Sequence, residues 1–375
     1  MRLANNLSQL GTETAFEVLA RAAKLAAAGK DVINLGIGQP DFKTPSHVVE
    51  AAIKAMRDGH HGYTPAKGIP ALREAVANDV LLRRGAKVDP DNIMIMPGGK
   101  PTMFFAIMMF GEPGSEIIYP NPGFPIYESA IRYVGAKPVP MRLLEDKGFA
   151  FSADEVLGQI TDKTRLIIIN TPANPTGGVT PKAELDKLAK GLERWPDVAI
   201  MSDEIYDRML YDGLEHASML AYEELRDRLI VLNGWSKTYA MTGWRLGWVI
   251  LPDDLVDNAE KISQNLFISA PTPNQFGAIA AFDCYDELDA HLPRYQDNRD
   301  RLLAGLPAEF LGQHAPADGA FYLYADISAI STNAGDFARR LLHEAGVAVT
   351  PGVDFDQTEG GRFLRLSYAG SSHTI

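Results

Sequence analysis

A lysine, an aspartate and an asparagine each stand just beyond a short apolar run that reads as a buried strand. The run Leu229-Ile-Val-Leu-Asn-Gly-Trp-Ser-Lys237 ends on Lys237, and Arg245 follows eight residues later. The run Val198-Ala-Ile-Met-Ser-Asp203 ends on Asp203, with Tyr206 three residues on. Residues 166–169 lead into Asn170-Thr-Pro-Ala-Asn-Pro-Thr-Gly177, a turn that holds Asn174. Open α/β sheets place their ligands outside the carboxyl ends of the strands. An amine, a carboxylate, a phenol, an amide and a guanidinium can therefore converge on one cleft. A lysine so placed can attack a carbonyl or carry a proton.

The elements that must hold these groups follow from patterning. Between about Asp91 and Pro252, short runs rich in β-branched residues alternate with helical stretches, the pattern of an α/β domain with a mainly parallel sheet. The strand candidates are residues 93–96, 116–119, 138–141, 166–169, 198–201, 229–232 and 246–251. Ser152 with Glu155 predicts a capping box, and Thr180 before Pro181 predicts an N-cap with proline opening the helix. After about Leu251 helices dominate, with short strands near 319–327 and 363–368, which suggests a second, smaller α+β unit. The amphipathic stretch 16–28 is expected to join it.

With 375 residues, 46% hydrophobic and 22% charged, the composition is that of a globular protein of about two domains. A net charge of −12 argues against nucleic acid as a partner but leaves room for a small anion pocket. One cysteine, Cys284, permits neither an intrachain disulfide nor a Cys-rich metal site and suits the reducing cytoplasm. No signal peptide is expected, and the apolar run 103–110 is far short of a membrane span. The adjacent His60 and His61 lack partner spacing for a metal. Gly36-Ile-Gly38 lacks the third glycine of a dinucleotide site, and Gly98-Gly-Lys100 lacks the P-loop spacing.

Seven motifs in order carry a resemblance: Gln39-Pro-Asp-Phe42, Tyr63-Thr-Pro-Ala-Lys-Gly68, Gly98-Gly-Lys100, Asn174-Pro-Thr-Gly177, Asp203-Glu-Ile-Tyr206, Ser236-Lys-Thr-Tyr-Ala-Met-Thr-Gly-Trp-Arg-Leu-Gly247 and Arg365-Leu-Ser-Tyr368. With them nearly the whole chain resembles the class I/II aminotransferases that use pyridoxal 5′-phosphate. The resemblance implies fold type I, a three-layer α/β/α large domain over residues 34–275 and a smaller α+β domain made of 1–33 with 276–375.

It also implies roles. Lys237 is expected to bond the cofactor covalently and, once freed by the substrate amine, to carry the α-proton. Asp203 would keep the ring nitrogen protonated, as a buried carboxylate beside a cation does. Asn174 and Tyr206 would donate to the ring oxygen, and Phe124 would stack on the ring. The phosphate would take the helix start at Gly99 and Lys100, with Ser236 and Arg245, and Tyr63 from the neighbouring subunit of a homodimer. Arg365, assisted by Asn174 and the Gly38 backbone, would grip the substrate α-carboxylate.

Two departures bear on specificity. Gly234 stands where relatives often have a phosphate-binding serine. Residues 266–281 contain no arginine of the kind with which some aspartate aminotransferases reach a distal carboxylate across the dimer. A lysine at the Lys100 position does that work in a bacterial subgroup, so Lys100 or Lys67 could serve a dicarboxylate, while Phe16, Ile37 and Phe124 could line an apolar pocket. The expected reaction is transfer of an amino group from an L-amino acid, aspartate or another, to a 2-oxo acid such as 2-oxoglutarate. The alternatives are a lyase or decarboxylase on the same scaffold, since the fold does not fix which α-bond breaks, and a non-catalytic cofactor-binding regulator. The 33 residues before Asn34 are expected to be too few for a DNA-binding domain.

Overall fold

The computed structural model describes residues 1–11, 13–307 and 314–375. After a two-residue strand, β1 (Ile33–Asn34), the seven apolar runs become one sheet: β2 (Ile93–Met96), β3 (Glu116–Asn121), β4 (Lys137–Arg142), β5 (Thr164–Asn170), β6 (Ala199–Asp203), β7 (Leu229–Gly234) and β8 (Gly247–Ile250). Their order is β2-β8-β7-β6-β5-β3-β4. Neighbours from β7 to β4 pair in parallel, and only β8 runs against its two neighbours.

Inner strands of a parallel sheet lose solvent on both faces, which is why runs such as those in β5, β6 and β7 are continuously apolar and do not alternate with polar residues. Leu166, Ile167 and Ile168 are fully buried. Side chains still alternate between faces. Ile167, Ile200 and Val231 pack with Val76 and Leu188, and Leu166, Met201 and Ile230 pack with Phe105 and Ile131. Helices α1 (Thr14–Ala27), α2 (Ser46–Arg57), α3 (Pro70–Arg84), α4 (Gly99–Phe110), α5 (Ile126–Tyr133), α6 (Ala153–Gln159) and α7 (Lys182–Leu192) precede or connect the strands. Helices on both faces of a mainly parallel sheet make the expected α/β three-layer architecture.

Beyond β8 come α8 (Asp253–Leu266), α9 (Thr272–Ala280), α10 (Tyr285–Asp289), α11 (Leu292–Gly305) and α12 (Ala334–Arg340). Strands β9 (Tyr322–Asp326), β10 (Val347–Ala348), β11 (Thr350–Pro351) and β12 (Phe363–Ser367) form the C-terminal part. β11, β12 and β9 make a small antiparallel sheet, and β10 pairs with β1. Ala22 of α1 packs on Leu342 and Ala348, so the N-terminal helix joins the C-terminal elements.

Two helix starts differ from expectation. Ser152 is the N-cap of α6 but its side chain caps nothing; the first amide, on Ala153, donates instead to Glu184 Oε2 at 2.7 Å. α7 begins at Lys182 with Pro181 as N-cap, one residue late, because the Thr180 amide donates to Thr171 Oγ1 at 2.9 Å, which binds Thr180 to the preceding loop. Among the described residues no helix is long and apolar enough to cross a membrane and no group of metal-ligating side chains occurs. His60 stacks on Phe276, and His61 pairs with the Met56 carbonyl.

Candidate active site

The parallel strands end on one edge, and that edge collects the chemistry. Asn170 closes β5, Asp203 closes β6, and Lys237 sits in the turn after β7. Because β8 is reversed, its beginning lies on the same edge, and Arg245 comes in just before it. The end of β2 passes through Gly98 into the start of α4. A cavity of about 480 Å³ opens there. Every residue named above for cofactor or substrate lines it except Tyr63, which is 84% exposed and outside it, and Lys67, whose amine lies beside Asp91. Phe16 and Ile37 line it too.

Lys237 Nζ donates to the Gly38 carbonyl at 2.7 Å. Burial, with the Arg365 and Arg245 guanidiniums, disfavours its charge and brings its pKa down to about 8. Asp203 is 2% exposed, and burial pushes its carboxyl up to about 6. It accepts from the Tyr127 hydroxyl at 2.7 Å and the Ile205 amide at 3.2 Å. The Tyr206 and Tyr322 hydroxyls share a hydrogen bond of 2.8 Å, and Tyr322 fills the space over Gly38, where an added Cβ would stand 1.9 Å from the Tyr322 oxygen.

Arg365, on β12, is 4% exposed. It donates to Asn174 Oδ1 at 2.9 Å and the Gly36 carbonyl at 2.7 Å, and its Nε is buried with no partner. Since Arg365 occupies the Asn174 oxygen, the donor end of that amide is left over. Phe124 lies edge-on to Tyr127. The Lys100 amine pairs with Glu13 between the Phe16 and Phe124 rings.

Glycines bring the anion-facing backbone together. Gly98 has φ +94°, and a Cβ on it would meet Arg245 Nη2 at 2.5 Å. Gly234 pairs with Gly247 across β7 and β8, and a Cβ on Gly234 would lie 2.6 Å from the Gly247 Cα. The backbone therefore leaves no space for the serine that relatives often carry there.

Behind Asp203 lies a fully buried Glu204. It pairs with Arg84 at 2.9 Å and accepts from the Ser218 hydroxyl at 2.8 Å and the Met219 amide at 3.0 Å, with His216 at 3.1 Å. Burial alone would raise its pKa, but Arg84, His216 and Ser218 outweigh that and hold it at about 2. A depressed carboxylate adds stability above its unfolded pKa and loses it as pH falls toward the folded value. Glu204→Gln should therefore cost about 3 kcal/mol at neutral pH, and the difference from wild type should shrink from about pH 4.5 down to 2. Urea unfolding at several pH values reads this, and an equal cost at pH 7 and pH 3 would count against it.

Sequence reasoning missed Tyr127, Tyr322 and Glu13. Tyr127, three residues after Phe124, could have been read as its companion at the start of a helix. Tyr322 and Glu13 offered no local signal.

A cationic cleft with a buried acid and a readily deprotonated amine defines an enzyme that does amine chemistry around an anionic carbonyl cofactor. Residues 30–375 match the family model for aminotransferase class I and II, and the chain belongs to that family of pyridoxal-phosphate-dependent enzymes. It is 38% identical over 96% of its length, and 93% of the relative's, to a (5-formylfuran-3-yl)methyl phosphate transaminase of Methanocaldococcus jannaschii. It is 36% identical over 96% of its length, and 92% of the relative's, to a valine–pyruvate aminotransferase of Mycobacterium tuberculosis. The aspartate aminotransferase of Thermus thermophilus solved with maleate superposes with a TM-score of 0.93 at 35% identity, over all of this chain and 97% of that one. The fold is thus that of the fold type I aminotransferases.

The residues present fit the cofactor. Lys237, Arg245 and Arg365 bring three cationic groups to the cavity, and among the described residues their hydrogen bonds go to carbonyl and amide oxygens and not to a carboxylate. A phosphate and a substrate carboxylate would supply the missing negative charge. A cationic ring nitrogen would in turn relieve the buried Asp203.

Proposed function

We propose that this enzyme moves the amino group of an L-amino acid, aspartate or another donor, to a 2-oxo acid such as 2-oxoglutarate. The observation that carries this is Arg365, a buried guanidinium that has no carboxylate partner among the described residues and lines the same cavity as Lys237. A bidentate carboxylate is its natural guest. An α-carboxylate held there presents the rest of an amino acid to the lysine.

Pyridoxal phosphate supplies, when bound, an electron sink for the bonds at the substrate α-carbon. Lys237 Nζ would hold the cofactor and, once freed as an amine, would take the α-proton and return it. Asp203 would hold the ring nitrogen, and the Asn174 amide and Tyr206 hydroxyl would serve the ring oxygen. Gly99 and the Lys100 backbone at the start of α4, with Ser236 and Arg245, would receive the phosphate, and Phe124 would stack on the ring. The Gly38 backbone stands by Arg365 at the substrate.

The exposed Tyr63 supports a homodimer in which a second copy brings that residue to the phosphate. A lone buried Cys284 supports a cytoplasmic location. Residues 34–275 would form the cofactor-binding unit, and 1–33 with 276–375 the smaller unit that brings Arg365. A panel of L-amino acids with 2-oxoglutarate, and separately with pyruvate, tests the reading. Glutamate or alanine should form in step with loss of the donor. Pyruvate and ammonia released with no new amino acid would assign the chain to lyase chemistry instead.

A further inference from the structure

Resting on that reading, we propose that Glu13 determines specificity for the substrate side chain by competing with a distal carboxylate for Lys100. Glu13 is the N-cap residue of α1 and lines the cavity, and its Oε1 is hydrogen bonded to Lys100 Nζ. Lys100 stands 5.7 Å from the Phe16 ring and 5.4 Å from the Phe124 ring, so the cation sits in an aromatic slot with Glu13 as its only ionic partner among the described residues.

The start of α1 is anchored: the Thr14 amide and hydroxyl donate to Asp354 Oδ2 at 2.9 and 2.7 Å. Glu13 is thereby kept at the cavity wall, and only its side chain needs to turn for Lys100 to be released.

The pair is half open to water, with Lys100 42% and Glu13 18% exposed. Ion pairs in such settings are weak, so a guest can displace this one. While the pair is closed, the wall offers Phe16, Phe124 and Ile37 to an apolar side chain, and the Lys100 charge is neutralised. When the guest carries a second carboxylate, Glu13 turns outward and Lys100 takes the guest. An enzyme whose two substrates share one site has to accept both kinds of side chain whenever donor and acceptor differ in charge. The Glu13–Lys100 pair lets the wall change its charge with no change of fold.

The test compares holoenzyme of wild type and Glu13→Gln. Maleate, a dicarboxylate, and butyrate, a monocarboxylate, are titrated against the visible absorbance of the bound cofactor, and kcat/KM is measured for glutamate and alanine. With the competitor removed, maleate should bind about fivefold tighter, butyrate should change less, and the glutamate-to-alanine ratio of kcat/KM should rise by a similar factor. Unchanged or weaker maleate binding overturns the proposal, because Glu13 would then merely hold Lys100 in place. Equal tightening of both ligands overturns it as well, as a general effect of charge. Wild-type holoenzyme that turned over no donor would defeat the transfer reading alone, and the two titrations would still decide the role of Glu13.

Discussion

Lys237→Ala is expected to lower the rate of amino-group transfer by at least about four orders of magnitude, since a positioned base contributes about 10²–10⁴ and the covalent hold is lost with it. No neighbour can take over. Among the described residues the one other amine that lines the cavity is that of Lys100, and it is paired with Glu13. The Lys237 pKa of about 8 makes a second, independent expectation. The neutral amine is the reactive form, so covalent capture of pyridoxal phosphate by cofactor-free wild type should speed up with rising pH and level off above about 8. An ordinary lysine would level off near 10.5. Borohydride reduction followed by mass measurement reads capture directly. A mass increase retained at full yield in the alanine variant would place the attachment on another residue and sink the assignment.

Arg365→Lys should lower kcat/KM by about two to three orders of magnitude for every substrate, donor and acceptor alike. Lysine keeps the charge, but its single ammonium cannot reproduce a fork that reaches Asn174 and Gly36 and still meets a carboxylate with two parallel bonds. Loss of a buried, hydrogen-bonded ionic contact costs about 2–5 kcal/mol, the equivalent of that loss in rate. All substrates share the α-carboxylate and differ only in their side chains. The loss should therefore be uniform, whereas Glu13→Gln should separate substrates by charge. A deficit confined to dicarboxylates would show that Arg365 grips the distal group and would reverse the orientation of the substrate. Cofactor affinity, read from the visible absorbance, should change less than kcat/KM, because the phosphate contacts proposed for Arg245 and Ser236 do not involve Arg365.

The inner strands were legible in the sequence because they are buried on both faces, so apolar runs such as Leu229–Leu232 have no alternative reading as half-exposed strands. Lys237, Asp203 and Asn174 could be singled out for a related reason: each follows such a run closely in the chain, and one cavity collects all three. The rest depends on contacts between distant residues. The Tyr127 hydroxyl reaches Asp203 across 76 positions, Tyr206 meets Tyr322 across 116, and Lys100 meets Glu13 across 87. No local pattern encodes those pairs. The start of α6 at Ser152 was read correctly, but its side-chain cap and the start of α7 were misread, because the capping rule looks only to local side chains, and here Glu184 takes the Ala153 amide and Thr171 the Thr180 amide.

The 2.7 Å contact between Lys237 and the Gly38 carbonyl has an effect on affinity as well as on geometry. Bonding of the cofactor to Lys237 would consume the amine as a donor to Gly38, while the Thr44 hydroxyl, which donates to the Ala240 carbonyl at 2.8 Å, would still tie the segment ahead of α2 to the turn after β7. Loading is thus an exchange of partners: the measured binding energy is what remains after one internal hydrogen bond, worth about 1 kcal/mol, has been given up.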